Sequence, residues 1–258
     1  MKNRGIVVVP ARLASTRLPN KLLLAETGRP LLAYVLENAR KAVELSDGLL
    51  TDVLLACDDA KLAAVASSIG VHSVMTRADH KCGTTRVAEA VDLAGVGSRL
   101  NFIVNVQGDE PDLHPQAIID VAASLMRSPD SEMATVVVPM FAGTEAMKQN
   151  PAAVKTVLDD AGRAIYFSRA PIPFDRTSAH GNEPLWHLHL GIYAYRPGFL
   201  RRFCGMPPSP LEERESLEQL RAISAGVKIQ TTKVPWEWAG KGIDTPEDYA
   251  SFVRRCAA

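Results

Sequence analysis

The sequence predicts an α/β fold: a Rossmann-like, mostly parallel sheet flanked by helices, with a β-rich lobe. Three observations predict it. Strand-like apolar runs alternate with amphipathic stretches through the first half of the chain, and the connections between them are short. After about Met133 the alternation gives way to strands separated by turns. Strands that alternate with helices form parallel sheets covered on both faces.

Eight elements are predicted in the first half, and each follows from its own pattern of apolar residues. In order they are strand GIVVVP, helix RPLLAYVLENARKAVEL, strand DVLLAC, helix DDAKLAAVASSIG, strand VHSVM, helix TTRVAEAVDLAG, strand NFIVNVQG and helix PQAIIDVAASLMRS. Gly70 and Gly95 are expected to end the second and third helices, and Pro115 suits the first turn of the fourth.

The second half is predicted to be richer in strands. MATVVVPM, AVKTVLDDAGRAIYFSR and HLHLGIYAYR are predicted to form strands separated by turns such as DDAG. The remaining segments are surface loop FDRTSAHGNEP, helix PLEERESLEQLRAISAG, strand VKIQTTKV and capped helix DTPEDYASFVRRC. No linker or repeat divides the chain. We therefore predict a single domain over residues 1–258, with a core of about 1–132 and 226–258 and a lobe of about 133–225.

The overall composition excludes several classes of protein. The 258 residues can bury a substantial core, and 29 Lys and Arg balance 29 Asp and Glu, which argues against a general nucleic-acid-binding or membrane-surface protein. No apolar run approaches the roughly 18 residues that span a bilayer, and the N-terminus lacks the features of a signal peptide. The four cysteines are scattered without metal-ligand spacing, so we expect free thiols and a cytoplasmic location.

The loop after the first strand gathers three cations. The segment ARLASTRLPNK carries Arg12, Arg17 and Lys21 among hydroxyl side chains. Clustered cations repel one another, and charge-assisted contacts from such a loop suit phosphate oxygens. The alternative is a solvated cationic loop. The segment has neither the GxxxxGK[ST] nor the GxGxxG spacing, so it is not a P-loop or a dinucleotide fingerprint.

Two acidic segments are candidates for binding a metal ion. NVQGDEPDL places Asp109 and Glu110 after a strand, and ligands of parallel sheets lie at the carboxyl ends of strands, where the cationic loop also lies. Carboxylates beside a polyphosphate generally serve Mg²⁺, although Gly-Asp and Glu-Pro also form turns. In GIDTPEDY, Asp244 by itself is explained by a helix N-terminus, with Asp244 or Thr245 as the cap and Pro246 in the first turn.

Taken together, the motifs resemble the 3-deoxy-manno-octulosonate (Kdo) cytidylyltransferases, also called CMP-Kdo synthetases. The resemblance runs from Val7 to about Tyr249, and its segments occur in the order found in that family. They are VVPARLASTRLPNKLL, TRADHKCGTTRVAEAV, NFIVNVQGDEPDL, AIYFSRAPIPF, HLGIYAYR, LEQLRA and GIDTPEDY. The first segment is shared with other sugar nucleotidyltransferases, whereas the combination is specific to this family.

The resemblance implies a nucleotidyltransferase that activates Kdo for lipopolysaccharide biosynthesis: CTP + Kdo → CMP-Kdo + diphosphate. The implied catalytic residues are Arg12, Lys21, Asp109 and Asp244, and the implied ligands of Mg²⁺ are Asp109 and Asp244. The implied nucleotide-binding residues are Pro10, Ala11, Arg12, Ser15, Arg17, Lys21, Arg77, Cys82, Gly83, Thr84, Gln107 and Asp109. The implied sugar-binding residues are Gln107, Arg169, His189, Tyr193, Glu218 and Gln219.

Several of these assignments have a structural alternative. Gly83 is also explained as a loop glycine before a helix. His189 and Tyr193 are also explained as inward-facing strand residues, and Glu218 and Gln219 as the polar face of their helix.

The chain departs from the family pattern at three positions. Cys82 stands where the family commonly has Ser, Asn20 where it has Gly, and Thr85 where it has an acid. We expect the loss of that acid to affect how Arg86 is held.

Partners and alternative functions follow from the same resemblance. We expect CTP and a Kdo-like acidic sugar as substrates and a homodimer formed through the β-rich lobe, with no nucleic-acid or membrane partner. One alternative is a cytidylyltransferase for a modified Kdo or another acidic sugar. An alternative from a different class is a non-catalytic nucleotide-binding subunit.

Overall fold

This computed structural model describes residues 4–15, 17–176, 183–240 and 242–257. Within these ranges, the centre of the molecule is a nine-stranded sheet. The strands are β1 Gly5–Ala11, β2 Leu50–Cys57, β3 His72–Met75, β4 Phe102–Asn105, β5 Met133–Met140, β6 Lys155–Leu158, β7 Ala164–Ser168, β8 Trp186–Tyr195 and β9 Ile229–Lys233. The helices are α1 Leu31–Leu45, α2 Ala60–Ser68, α3 Gly83–Leu93, α4 Pro115–Arg127, α5 Glu145–Gln149, α6 Pro197–Cys204, α7 Pro210–Glu215, α8 Gln219–Ser224 and α9 Pro246–Ala257.

The strand order is β3-β2-β1-β4-β8-β5-β9, and the pairs β3-β2, β2-β1, β1-β4 and β5-β9 are parallel. β8 runs antiparallel to both of its neighbours, β4 and β5. The hairpin β6-β7 pairs with β8 beside this row of strands. The prediction of an α/β fold with a mostly parallel sheet is therefore confirmed.

Side chains of β1 show how the two faces of the sheet are covered. Val7 and Val9 belong to the apolar core that includes residues of α1, α2, α4 and α9. Ile6 and Val8 belong to the opposite core, which includes residues of α3, α6 and α8. Because successive side chains of a strand point to opposite faces, one apolar strand supplies both cores, and each fully buried Val contributes about 1.5–3 kcal/mol.

The helix predicted over PLEERESLEQLRAISAG is not continuous, and the prediction is wrong at this point. α7 ends at Glu215, and α8 begins at Gln219 after Ser216 adopts the left-handed conformation with φ 50°. The Glu215 carboxylate accepts hydrogen bonds from the Ser168 hydroxyl at 2.6 Å and from the Arg169 backbone N–H at 2.9 Å. These tertiary hydrogen bonds hold α7 against the end of β7 and redirect the chain into α8.

Two helices were absent from the sequence prediction. α6 starts with Pro197 in its first turn and buries Phe199, Leu200 and Phe203, and the short α5 buries none of its residues.

Strands β5 and β8 belong to the central sheet, so the predicted boundary near residue 133 falls within one sheet and the division into core and lobe stays a prediction. Of the loop predicted over residues 174–184, residues 177–182 lie outside the described ranges. Among the helices of the described ranges, none combines the length and the apolar character needed to cross a membrane.

Candidate active site

A cavity of about 250 Å³ opens where β1 and β4 end. It is lined by Pro10, Ala11, Arg12, Ala14, Ser15, Arg17, Lys21, Leu22, His80, Lys81, Cys82, Gly83, Arg86, Gln107, Gly108, Asp109 and Asp244. Ten of the twelve residues predicted to bind the nucleotide are among them, and the other two are Arg77 and Thr84. The carboxyl ends of parallel strands thus bring the cationic loop, the QGDEP loop and the GIDTP segment to one place.

Two acidic residues that are distant in sequence meet at the Lys21 ammonium. Lys21 Nζ donates to Asp109 Oδ2 at 2.6 Å and to Asp244 Oδ1 at 3.1 Å, and it also donates to the carbonyl oxygen of Ile243 at 2.6 Å. The Lys21 side chain is only 12% exposed, whereas the carboxylates are 31% and 45% exposed toward the cavity. The two carboxylates therefore share one partly buried cation.

The backbone brings these two acidic segments together independently of their side chains. The N–H of Ile243 donates to the carbonyl oxygen of Asp109 at 2.9 Å. Nearby, a Cβ on Gly240 would lie 2.8 Å from the backbone nitrogen of Leu113, so only glycine permits this approach. The segment before α9 is thus packed directly against the loop that follows β4.

The cationic loop presents exposed guanidinium groups to the cavity. Arg17 Nη2 donates to Asp244 Oδ1 at 2.9 Å with its side chain 67% exposed. Arg12 is exposed at the cavity wall. Asn20 has φ 53° and ψ 28° at the start of the short 3-10 turn that carries Lys21, and Asn is among the residues that tolerate this left-handed conformation.

Asp58, which the sequence analysis did not single out, holds the cationic loop in place. Its Oδ1 accepts from the backbone N–H of Leu13 and its Oδ2 from Arg86 Nη2, each at 2.9 Å. Arg86 Nη1 also donates to the Thr76 hydroxyl at 2.7 Å, and the Arg86 and Asp58 side chains are 3% and 9% exposed. Arg86 is therefore held by residues 58 and 76. The sequence signal that could have identified Asp58 is the acidic pair Asp58 and Asp59, directly after a buried strand.

Thr85, the residue that replaces the family's acid, contacts His80. The Thr85 hydroxyl lies 2.9 Å from His80 Nδ1 and donates to the Cys82 carbonyl oxygen at 3.1 Å. His80 Nε2 forms a short hydrogen bond with Glu89. Thr85 and Glu89, both in α3, thus hold His80 of the loop that precedes this helix.

The first turn of α3 forms one wall of the cavity. A Cβ on Gly83 would lie 3.1 Å from Pro10 Cγ and 3.3 Å from Gln107 Oε1, so the turn packs tightly on the ends of β1 and β4. Thr84 is 3% exposed and turns away from the cavity, where its hydroxyl donates to Glu218 Oε2 at 2.7 Å. Arg77 does not line the cavity. Its side chain is 69% exposed and lies beside Asp79 and Glu89.

The predicted sugar-binding residues lie on both sides of this turn. Gln107 lines the cavity, and Glu218 lies behind Cys82 and Thr84. The rings of His189 and Tyr193 are 5.5 Å apart on β8. Burial lowers the pKa of His189 to about 3, and burial together with the Glu218 and Glu110 carboxylates raises the pKa of Tyr193 well above its usual value.

Gln219 and Arg169, the other two predicted sugar-binding residues, differ in their hydrogen bonding. Gln219 is 4% exposed, and its Nε2 has no hydrogen-bond partner among the described residues. Arg169 donates to the carbonyl oxygens of Glu215 at 2.7 Å, Pro151 at 3.0 Å and Ser216 at 3.3 Å, so its guanidinium holds the α7–α8 turn in this conformation.

Glu110 is a residue whose importance the sequence pattern only hinted at. Burial and the neighbouring Asp109 and Asp244 carboxylates raise its pKa to about 8. Its Oε1 lies 3.5 Å from the point where a Cβ on Gly191 would be, which places it against β8. Glu110 thus interacts electrostatically with the acidic pair and with Tyr193.

Comparisons with known proteins match the sequence over most of its length and the fold of the chain. The family model described as cytidylyltransferase matches residues 6–229. A solved CMP:2-keto-3-deoxy-manno-octonic acid synthetase complexed with CTP shares 34% sequence identity at a TM-score of 0.86, with 99% of each chain covered.

Two more distant structures share the fold. A cytidylyltransferase from Leptospira borgpetersenii serovar Hardjo-bovis has 19% identity and a TM-score of 0.58, covering 98% of this chain and 86% of that one. A 4-diphosphocytidyl-2C-methyl-D-erythritol synthase from Anaerococcus prevotii has 10% identity and a TM-score of 0.61, covering 100% and 99%.

Proposed function

The chain belongs to the cytidylyltransferase family, and we propose that it transfers the cytidylyl group of CTP to Kdo: CTP + Kdo → CMP-Kdo + diphosphate. The observation that carries this proposal is the meeting of Asp109 and Asp244 at Lys21, beside the exposed Arg12 and Arg17. The likeness to a solved synthetase of that product, over 99% of both chains, supports the choice of sugar.

The cations of the N-terminal loop suit the triphosphate. Arg12 and Arg17 are exposed at the cavity, and Lys21 extends its ammonium between two carboxylates. In the proposed reaction the anomeric hydroxyl of the sugar loses its proton to solvent, and its oxygen bonds to the α-phosphorus. The bond between the α-phosphorus and the oxygen that bridges to the β-phosphate breaks, and diphosphate leaves with that electron pair. Positioning and charge neutralisation dominate such a displacement, and the loop stabilises the negative charge on the departing diphosphate.

The carboxylates Asp109 and Asp244 fit Mg²⁺. Their oxygens are the donors that this ion prefers, and no cluster of three or more His, Cys, Asp or Glu suited to a metal occurs among the described residues. A pair of carboxylates is enough because Mg²⁺ completes its shell with water and phosphate oxygens. When bound, Mg²⁺ would neutralise phosphate charge and make the attacking hydroxyl easier to deprotonate.

Polar side chains behind the cavity suit a polyhydroxy acid. Gln107, Glu218 and Gln219 offer donors and acceptors for hydroxyl groups, and the unpartnered Nε2 of Gln219 supports a polar ligand there because buried polar groups are normally hydrogen-bonded. Arg169 suits the sugar carboxylate chemically, but its contact with the sugar stays a prediction, because three of its five N–H groups donate to backbone carbonyl oxygens.

We also propose a homodimer formed through the lobe. Large apolar side chains are exposed around the β6–β7 hairpin, with Phe174 87% exposed, Ile165 55% and Phe141 50%. Burying them against a second copy would remove apolar surface from water. Analytical ultracentrifugation tests this: the native chain should sediment as a dimer and Phe174→Ser should weaken it, whereas a monomeric native chain would contradict it.

A cytoplasmic location and a role in lipopolysaccharide biosynthesis remain part of the proposal. All four cysteines are unpaired, as expected in a reducing compartment.

A coupled assay of diphosphate release tests the reaction. We expect turnover with CTP, Kdo and Mg²⁺, and strongly reduced turnover when UTP replaces CTP or when the metal is chelated. The same assay with modified Kdo and with a sialic-acid-like nonulosonate identifies the sugar. Turnover of another acid with none of Kdo would overturn the choice of substrate, and nucleotide binding without turnover of any acid would indicate a non-catalytic subunit.

A further inference from the structure

The carboxylate of Glu218 accepts hydrogen bonds from two residues at the N-terminus of α3, the N-cap Cys82 and Thr84. Cys82 Sγ donates to Oε1 at 3.1 Å, and the Thr84 hydroxyl donates to Oε2 at 2.7 Å. Both oxygens of one carboxylate are thus fixed by residues more than 130 positions away in sequence. Hydrogen bonds to a charged group are stronger than neutral ones, and two of them define the orientation of the carboxylate.

The position of Glu218 in the chain explains why such fixation matters. Glu218 directly precedes α8 and lies two residues after Ser216, which has the left-handed conformation. Its side chain makes no capping hydrogen bond to the backbone. The α7–α8 turn therefore brings the carboxylate to this place without orienting it. An ionised carboxylate has about four acceptor sites, so two remain for a ligand after Cys82 and Thr84 have donated.

The two donors flank the residue that contacts the nucleotide cavity. Gly83 packs against Pro10 and Gln107 at the cavity wall, and Cys82 also lines the cavity. Thr84 is 3% exposed, so its hydroxyl is used by Glu218 and is turned away from the cavity. One turn of helix therefore contacts the nucleotide space on one side and Glu218 on the other.

Cys82 is itself held so that it can donate. Its sulfur lies 3.5 Å from the Thr85 hydroxyl, which lies 2.9 Å from His80 Nδ1. Burial and the Glu218 carboxylate raise the pKa of the Cys82 thiol, so the thiol keeps the proton that a donor needs.

We propose that Cys82 and Thr84 are positioning residues that orient the Glu218 carboxylate toward the sugar acid and thereby join the sugar subsite to the nucleotide wall. This inference rests on the proposed function. It moves Thr84 from the nucleotide-binding residues predicted from the sequence to the support of the sugar subsite.

Thr84→Val and Cys82→Ala remove one donor each, and Cys82→Ser restores a donor of similar size. We expect both removals to raise KM for Kdo about tenfold or more, the effect of losing one hydrogen bond to a charged group. Thr84→Val should leave KM for CTP within about twofold, because Thr84 is not among the residues that line the cavity. Cys82→Ser should return KM for Kdo to within about threefold of the native value. The Kd for CTP alone, measured by calorimetry, should be unchanged in Thr84→Val.

Thr156→Val is the matched control, because the Thr156 hydroxyl is also buried but donates to the carbonyl oxygen of Tyr166 in the lobe. It should leave both KM values unchanged. Unchanged KM for Kdo in Thr84→Val and Cys82→Ala, an equal rise of KM for CTP in Thr84→Val, or no rescue by Cys82→Ser would overturn the positioning role alone. If Thr84→Val does not fold, the comparison of Cys82→Ala with Cys82→Ser decides the question. A native enzyme that turns over no sugar acid would overturn the proposed function as well.

Discussion

The backbone N–H of Ile243 donates to the carbonyl oxygen of Asp109 at 2.9 Å, so the two acidic segments of the site are joined before any ligand arrives. A substitution of either acidic side chain leaves this hydrogen bond in place. The chemical role of each carboxylate can therefore be separated from its role in folding.

Asp109→Asn should lower kcat at least about a hundredfold, because an uncharged amide is a weak ligand for a divalent cation and one electrostatic contact to the transition state is worth a few kcal/mol. The thermal unfolding midpoint should stay near the native value, since Asn can still accept from Lys21. Diphosphate release and a melting curve measure the two quantities. Native-like turnover in this variant would remove Asp109 from the proposed metal site.

Asp244→Asn should lose activity and Mg²⁺ affinity without losing stability. The structure assigns the capping of α9 to Thr245, whose hydroxyl accepts from the Asp248 N–H at 3.2 Å while Asp248 Oδ2 accepts from the Thr245 N–H at 3.1 Å. Thr245→Ala is the matched control and should cost about 1 kcal/mol of stability with a much smaller effect on turnover. Full activity and normal metal binding in Asp244→Asn would show that Asp244 is only structural.

Asp58→Ala should destabilise the fold by about 3–5 kcal/mol, because it leaves the buried Arg86 guanidinium without its ionic partner. It should also raise KM for CTP, since the N–H of Leu13 loses the acceptor that holds the cationic loop. Urea unfolding and steady-state kinetics measure these effects. Asp92→Asn breaks the exposed ion pair with Arg201 and should change stability by less than about 1 kcal/mol. An equally small effect in both variants would contradict the structural role of Asp58.

Acid should destabilise the fold through His189. Its pKa in the folded state is lowered to about 3 by burial, whereas the unfolded chain titrates near 6.5. Between these values the unfolded state binds more protons, so stability is fully present above pH 6.5 and falls as the pH decreases toward 3, by up to about 1.4 kcal/mol per pH unit for this group. His189→Gln should flatten the dependence of the unfolding free energy on pH over this range. An identical slope in the native protein and the variant would contradict this account.

The parts of the fold that the sequence predicted are those set by local pattern. The β1–α1–β2 succession follows from apolar periodicity, and the placement of Asp109 beside Lys21 follows from the rule that parallel strands share a carboxyl edge. The break at Ser216 was not predictable in this way, because it depends on Glu215 reaching Ser168 and Arg169 in a distant strand. Local amphipathicity continues across that break and favours one helix.

In the site, too, local pattern predicted some residues, whereas contacts remote in sequence could not be predicted. Arg12 and Lys21 were identifiable because cations that gather on a loop without adjacent acids indicate an anion. Asp58 was missed, and Cys82 and Thr84 were predicted without their hydrogen bonds to Glu218, since each of these contacts joins residues remote in sequence. The effect of Thr85 on how Arg86 is held stays a prediction; in this structure Arg86 is held by Asp58 and Thr76.

The position of β8 between β4 and β5 has a consequence for how the chain folds on the ribosome. The first four strands form a contiguous half-sheet, but the free edge of β4 is paired only after residues 186–195 have been synthesised. Until then the nascent chain presents an unpaired strand edge, which is a site for association with other chains. Truncations that stop before Trp186 should therefore accumulate as insoluble material, although they contain every residue of the cationic loop.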